Sequence, residues 1–475
     1  MRPREAIVEI RQTAVRRQDM PVIAIVGAGF SGTMAAVHLR RRLSGAATIW
    51  LFDRSGRFAR GPAYAASALP HLLNVRSMNM SAFADEPVHF EAWLKDHLTR
   101  WPADWNEVAD TEAGRFATRR LYGRYLRQLL YRELREGGGR VALQSSDVER
   151  ILPDAGGWRL WCANGRVLRA DIVVLAGGNL APAARGDGVV FHNPWDDAAA
   201  TGLRPGEPVM IVGTGLTMVD LALAMQAGGF AGPIIAVSRR GLVPQPHVFG
   251  SGGWPAPEFT DAERGSLVRL LRRIRREIAA AATAGIGWRA VIDGLRPVTA
   301  SLWRNLPGPE QRRFLRHLRP FWDVHRHRMA PPIAAALAAM RASGALTLRR
   351  GRVRSVVCEA GRAHVTIDTG GPDGETISVQ RLVYATGARA AGESDSLIAS
   401  LCMAGLVRLD DHGMGLQVDG QLRIVAPDGR VTPGLWALGP VVRGTFWECT
   451  AVPDVRVQAS HVADAIAAWV RRQGD

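Results

Sequence analysis

A chain of 475 residues, 47% of them hydrophobic and 22% charged, has the apolar material for two or three globular domains with ample cores. Its 60 basic residues against 44 acids give a formal charge of +16, nearly all from arginine because Lys95 is the only lysine; that field favours anionic ligands, and no nucleic-acid-binding module accompanies it. No apolar run reaches the ~18 residues of a membrane-spanning helix, residues 1–20 read as a frayed basic tail rather than a secretory signal, and Cys162, Cys358, Cys402 and Cys449 form no close pair, which argues against a zinc site or a redox dithiol and suits a reduced, cytoplasmic compartment.

Val22–Val26 is an apolar β-type run that passes into Gly27-Ala-Gly29-Phe30-Ser31-Gly32 and then a helical stretch. That order is a dinucleotide-binding turn: Gly27 permits the sharp bend, Gly29 lets backbone approach a pyrophosphate, and Gly32 lets helix and strand pack closely. Trp50–Asp53 supplies a second strand ending in an acid, the group that binds a ribose diol. Residues 71–81 lack either period and read as a shaped loop lining a cofactor. A helix is expected from Asp85, with Pro87 in its first turn and Phe90, Trp93, Leu94 and Leu98 as core; a second follows from Leu121. Val141 to Asn179 shortens into alternating runs, a β-meander closing in Ile172–Gly178.

The plan then repeats. Pro208–Val212 leads into Gly213-Thr-Gly215-Leu216-Thr217-Met218, again strand, glycine turn and helix. Met218 stands where the third glycine would be, which predicts looser helix–strand packing. The second strand here ends in Ser238-Arg239-Arg240, groups that pair with a 2′-phosphate, whereas the acid of the first unit would repel one. So the first site is read as FAD-binding and the second as NADPH-binding. A helical insert spans 258–344, opened by the capping box Thr260–Glu263 and including an arginine-rich amphipathic helix over 261–282. Phe321–Met329 places His325 and His327 beside arginines, a poor metal motif but a candidate site for an acidic substrate or the NADPH phosphates. Residues 353–387 form a second meander ending at Gly387, and Pro433–Pro440, a loop and a helix through Ala465 complete the first domain.

The expected architecture is therefore α/β, two Rossmann-like dinucleotide-binding domains with β-meanders and a helical insert. The FAD domain is discontinuous (21–200 and 388–475), and the NAD(P)H domain (201–387) is inserted within it. Two glycine turns, a strand ending Ala385-Thr-Gly387 and a late strand ending in Gly439 resemble the two-dinucleotide-binding flavoproteins, which include class B flavin monooxygenases and amino-acid N-hydroxylases. More narrowly, Gly61-Pro-Ala-Tyr, His71-Leu-Leu-Asn-Val, Gly213-Thr-Gly-Leu-Thr-Met-Val-Asp, Trp322-Asp-Val-His-Arg-His-Arg-Met and Arg443-Gly-Thr-Phe-Trp-Glu resemble the bacterial FAD-NAD(P)-binding family.

The resemblance implies FAD on Gly27, Gly29, Phe30, Ser31, Gly32, Asp53, Arg54, Asn74, Met80, Gly177, Gly439 and Thr445. It implies NADPH on Gly213, Gly215, Leu216, Thr217, Arg239, Arg240 and Gly387. Pro440 stands where the family carries an acid. Catalytic candidates are His71, Asn74, His325 and His327, and no metal is expected. With a dithiol outlet set aside, oxygen is the commonest acceptor, and the expectation is an NADPH-dependent monooxygenase of a small soluble amine or acid. A dehydrogenase serving a quinone or protein partner, a flavin-binding sensor and a homo-oligomer stay open.

Overall fold

A computed structural model describes residues 20–64, 71–136, 140–178, 188–250, 252–371, 374–387 and 396–474. Residues 1–19 of the expected basic tail and the boundary at 388 lie outside them. The first unit is β1 (Val22–Val26), α1 (Phe30–Leu43) and β2 (Thr48–Phe52). β1 pairs parallel with β2, from Val22 opposite Thr48 to Val26 opposite Phe52. Ile23, Ala24 and Ile25 are fully buried, as a central parallel strand covered on both faces requires. At Gly32 a β-carbon would sit 1.9 Å from the Gly27 carbonyl oxygen, so the absence of a side chain there sets the approach of α1.

The second unit repeats this with β3 (Val209–Val212), α2 (Leu216–Ala227) and β4 (Ile234–Ser238), again parallel. In place of the third glycine, Met218 has its side chain fully buried among Val209, Ile211, Leu221 and Val383, filling the space between helix and strand.

Each unit extends into its own sheet. The first has six strands in the spatial order Arg423–Val425, Val431–Ala437, Ile172–Leu175, β1, β2, Val141–Gln144. Val431–Ala437 lies parallel to Ile172–Leu175, so the late strand does return to the first sheet. The second has five, Val190–Phe191, Arg381–Tyr384, β3, β4 and Leu346–Arg350. Two antiparallel meanders, within 148–170 and 352–379, cover them. Val141–Gln144 was expected in the first meander but pairs parallel with β2; it follows the helix Arg119–Glu136, and a strand after a helix returns to the parallel sheet.

In the insert, Thr260 and Glu263 do form a capping box, yet on a helix of four residues, Asp261–Arg264, which Gly265 ends. The long helix α3 (Leu267–Thr283) starts afresh behind a Ser266 cap. Its apolar side joins Leu295, Leu302 and Leu306. α4 (Arg319–Arg326) follows, and α5 (Val452–Gly474) closes the first unit, running beyond the expected end at Ala465. The helix expected from Asp85 spans His89–Arg100, leaving Pro87 outside it. Among the described residues, no helix is long and apolar enough to cross a membrane.

The two glycine turns therefore respond oppositely to substitution. Gly32→Ala should cost about 3 kcal/mol by driving α1 off its strand. Met218→Ala should cost about 2–5 kcal/mol by opening a cavity. Urea unfolding of each variant beside the parent protein checks both.

Candidate functional site

The site is built on the carboxyl ends of the parallel strands of two sheets, where helix N-termini come forward. Gly27 has φ +105°, and its amide donates to the Phe52 carbonyl across β2 at 3.1 Å. Gly29 stands at the N-cap of α1 and no side chain caps the helix, so the first amides of α1 are left for an external acceptor. A β-carbon on Gly29 would meet only the Gly61 α-carbon, at 3.8 Å, and the Ala59 amide donates to the Ala28 carbonyl at 2.9 Å. Residues 59–61 thus lie against the turn.

Around this turn, Asp53 is half-buried. Its Oδ1 accepts from the Ser55 amide (2.9 Å), the Ser55 hydroxyl (2.7 Å) and the Arg57 amide (3.2 Å), while Oδ2 makes none of these bonds. Arg54 is exposed. Gly439 has φ +79° and packs on the Ser31 side chain. Its amide donates to Gln458 Oε1 at 2.8 Å, so Gln458 of α5 supplies a polar group near the position where Pro440 lacks one. Phe30, Ser31 and Met80 are buried. Thr445 Oγ1 accepts from the Val418 amide at 3.5 Å, and Gly177 faces open space.

The second turn follows the same logic. Gly213 has φ +115° and bonds the Val237 carbonyl at 2.8 Å; Gly215 sits uncapped before α2 with open space around it, as has Gly387. Leu216 and Thr217 form the half-buried first turn of α2. The Ser238 hydroxyl is engaged by Thr214 Oγ1 (2.8 Å) and the Gly241 amide (3.0 Å). Arg239 and Arg240 are both exposed, Arg240 over the Phe321 ring at 5.0 Å. These features fit a dinucleotide at each turn: open glycines, free helix amides, an acid after β2 and two arginines after β4.

Between the units the structure joins residues that no short motif connects. Arg119 Nη2 donates to Asp220 Oδ2 of α2 at 2.7 Å, and His71 Nδ1 lies 3.9 Å from Asp220 Oδ1. Burial pushes the Asp220 carboxyl up against the pull of Arg119 and His71, and burial also lowers His71. The Asn74 carbonyl accepts from His247 Nε2 at 3.0 Å, tying loop 71–81 to the segment after β4. His325 and His327 do not converge. The first meets the Phe321 carbonyl (2.7 Å) and the edge of Trp288, and the second lies 3.9 Å from Glu448 Oε1. Glu448 is buried; burial would raise it, but His327, Arg326 and the Trp322 indole hold it below the usual range. Among the described residues, no three His, Cys, Asp or Glu side chains gather as a metal set.

The sequence analysis did not single out Arg119 or His247; Asp220 and Glu448 ended two of the motifs quoted there, Gly213–Asp220 and Arg443–Glu448, without a role of their own.

Residues 24–180, which include β1, α1 and β2, match the family model described as FAD-NAD(P)-binding. No curated protein matches the chain by sequence. The whole fold is that of two-dinucleotide-binding-domain flavoproteins. It is similar to ornithine hydroxylase from Pseudomonas aeruginosa in its reduced form (16% identity, 94% of this chain and 99% of that one, TM-score 0.63). It is likewise similar to L-lysine 6-monooxygenase from Pseudomonas syringae (16%, 95% and 99%, TM-score 0.63). A third likeness is to an ornithine N-hydroxylase from Kutzneria sp. 744 with reduced FAD, NADP+ and L-ornithine (15%, 96% and 100%, TM-score 0.61). At such identities the likeness establishes the fold.

Two buried rings give the protein a defined acid response. His247 is lowered to about 4 by burial, with its bond to Asn74 acting against the shift and Arg328 and Arg76 acting with it; His38, on α1, is lowered to about 4 by burial and Arg42. An unfolded histidine takes a proton near pH 6.5, so stability is full above that pH and falls as pH drops toward about 4. Melting temperature measured across that window should decline, and less steeply in His247→Gln.

Proposed function

We propose, from the match of residues 24–180 to the FAD-NAD(P)-binding family model, that the protein is an FAD-dependent, NADPH-using oxidoreductase, a monooxygenase of a small substrate in a reducing, cytoplasmic setting. The observation that carries it is the pair of uncapped, glycine-fronted helices, each at the end of its own parallel sheet. One such site holds one dinucleotide; two hold a donor and an acceptor of hydride.

Asp53 after β2 supports FAD at the first turn, because a carboxylate suits a bare ribose diol. Exposed Arg239 and Arg240 after β4 support the 2′-phosphate of NADPH at the second. Bound FAD would supply the redox chemistry. The chain's own residues bind and orient. Gly27, Gly29 and Gly32 give the pyrophosphate its backbone approach, Gly439 and Ser31 close the far side, and loop 71–81 borders the reacting region. Arg119, Asp220 and His71 hold α2 of the NADPH unit against that loop.

The acceptor follows from sulfur placement. Cys162 and Cys449 are buried, and all four cysteines are free, so no dithiol outlet is formed; oxygen is the acceptor this reading assigns. The Kutzneria enzyme, whose structure holds NADP+ and L-ornithine on the same fold, supports a monooxygenase of the N-hydroxylase kind acting on an amine or an acid. A second reading has one observation in its favour: Arg269, Arg272, Arg275 and Arg276 of α3 are exposed, a surface on which an electron-accepting partner could dock.

Anaerobic NADPH should bleach the flavin of the holoprotein, and admitting air should restore it with oxygen uptake. A substrate should then lower the yield of hydrogen peroxide. Fast reoxidation by a quinone with little oxygen uptake would overturn the monooxygenase reading, and failure of NADPH to bleach the flavin would point to a sensor. Arg239→Ala should weaken NADPH binding about ten-fold and leave NADH binding unchanged, since only NADPH carries the 2′-phosphate.

A further inference from the structure

The segment Phe321–Met329 attracts attention by its histidines, yet its arginines enter the junction between the units. Arg328 is 3% exposed. One of its terminal nitrogens, Nη2, bonds Asp293 Oδ1, while Nε and Nη1 have no partner among the described residues. Leaving donors of a buried guanidinium unmet is costly, and such groups in a native fold call for a missing partner.

Two more guanidiniums share this place. Arg76, from loop 71–81, donates through Nη2 to the Val248 carbonyl at 3.1 Å and has an unpartnered, buried Nε. Arg289 donates through Nε to the Pro246 carbonyl at 3.1 Å. Each of these two feels the charge of Arg328 and of Asp293. His247 lies among them as a neutral ring: Nε2 donates to Asn74, and Nδ1 is unpartnered. Three guanidiniums against one carboxylate leave an excess of two positive charges. Arg326, from the same turn of chain, lies 3.3 Å from Glu448 and is balanced by it.

The cluster also has an open side. The Asp293 side chain is 38% exposed. Met78 and Phe249 are 59% and 72% exposed, and they stand on the two segments that the Arg76–Val248 bond ties together. An oxyanion with an apolar body would meet charge inside and carbon at the rim. The place is beside the carbonyl of Asn74, in the loop assigned to the reacting region.

We infer that Arg76, Arg289 and Arg328, arranged around Asp293, form a binding site for an organic carboxylate, and that this group is the anchor of the substrate. A carboxylate oxygen entering the cluster takes the unmet donors and relieves repulsion between the guanidiniums. That the bound acid is a substrate rests on the monooxygenase reading above; that the site binds a carboxylate does not.

The test therefore starts without NADPH or oxygen turnover. FAD-loaded protein is titrated at constant ionic strength with hexanoate, succinate, inorganic phosphate and NADP+, reading flavin absorbance and melting temperature. Saturable binding of a carboxylate is expected, weakened about ten-fold to a hundred-fold in Arg76→Gln and Arg289→Gln. NADP+ affinity should stay within about two-fold of the parent in both variants. Because Arg328 is buried and its replacement could unfold the protein, the two half-buried arginines carry the test and Arg328→Gln is judged only if its melting curve stays cooperative. No carboxylate binding, or binding equal in parent and variants, overturns the inference. Loss of NADP+ or phosphate binding in the variants with carboxylate binding unaffected also overturns it, assigning the cluster to the coenzyme. Carboxylate binding that leaves NADPH oxidation and peroxide yield untouched confirms the site and removes the substrate role alone.

Discussion

The closest constraint in the molecule is the contact of α1 with the turn that precedes it. Only a hydrogen at Gly32 fits against the Gly27 carbonyl, and that fit sets how near the helix sits to β1. Because it sits so near, the uncapped amides of α1 lie at the sheet's end rather than out in solvent, which makes a ligand-facing surface out of what is otherwise an unsatisfied helix terminus. The strands on either side inherit their places from it: β2 receives the Gly27 amide, and Gly439 comes down on Ser31. The second unit reaches a similar surface by other means, with a buried methionine as spacer. Close approach is thus a property of the phosphate turn, and the packing behind it is adjustable.

Much of this was legible because it is local. A β-branched run, three glycines at fixed spacing and an acid at the next strand end lie within about thirty residues, and each has a backbone reason to be where it is. The repeat at Gly213 was readable for the same reason. Secondary details failed where neighbours decide: Val141–Gln144 has meander-like composition, but its pairing is set by the helix before it. What Met218 packs against could not be read locally, because residues such as Val383 are distant in sequence.

The junction was illegible for a different reason. Arg119 meets Asp220 across 101 positions and His247 meets Asn74 across 173, and no periodicity announces such pairs. The segment around His325 stood out in the sequence for its histidines, whereas the side chains that enter the junction are its arginines. α4 ends at Arg326, and the backbone leaves the helical region at His327, so the residue after it is aimed where helical spacing would not send it. Charge composition hinted at anions everywhere; only the fold shows where arginines lack partners.

The return of Val431–Ala437 to the first sheet bears on how the chain matures. By residue 387 a growing chain contains every strand of the second sheet, whereas the first still lacks Val431–Ala437 and the helix that closes it. Until those arrive, Ile172–Leu175 presents a row of unpaired backbone groups, an apolar edge open to other chains. The inner unit can settle early and the outer one must wait. In that interval the turn from Gly27 to Gly32 is in place while Gly439, which packs on Ser31, is still missing, so the glycine turn is completed only after the late strand arrives.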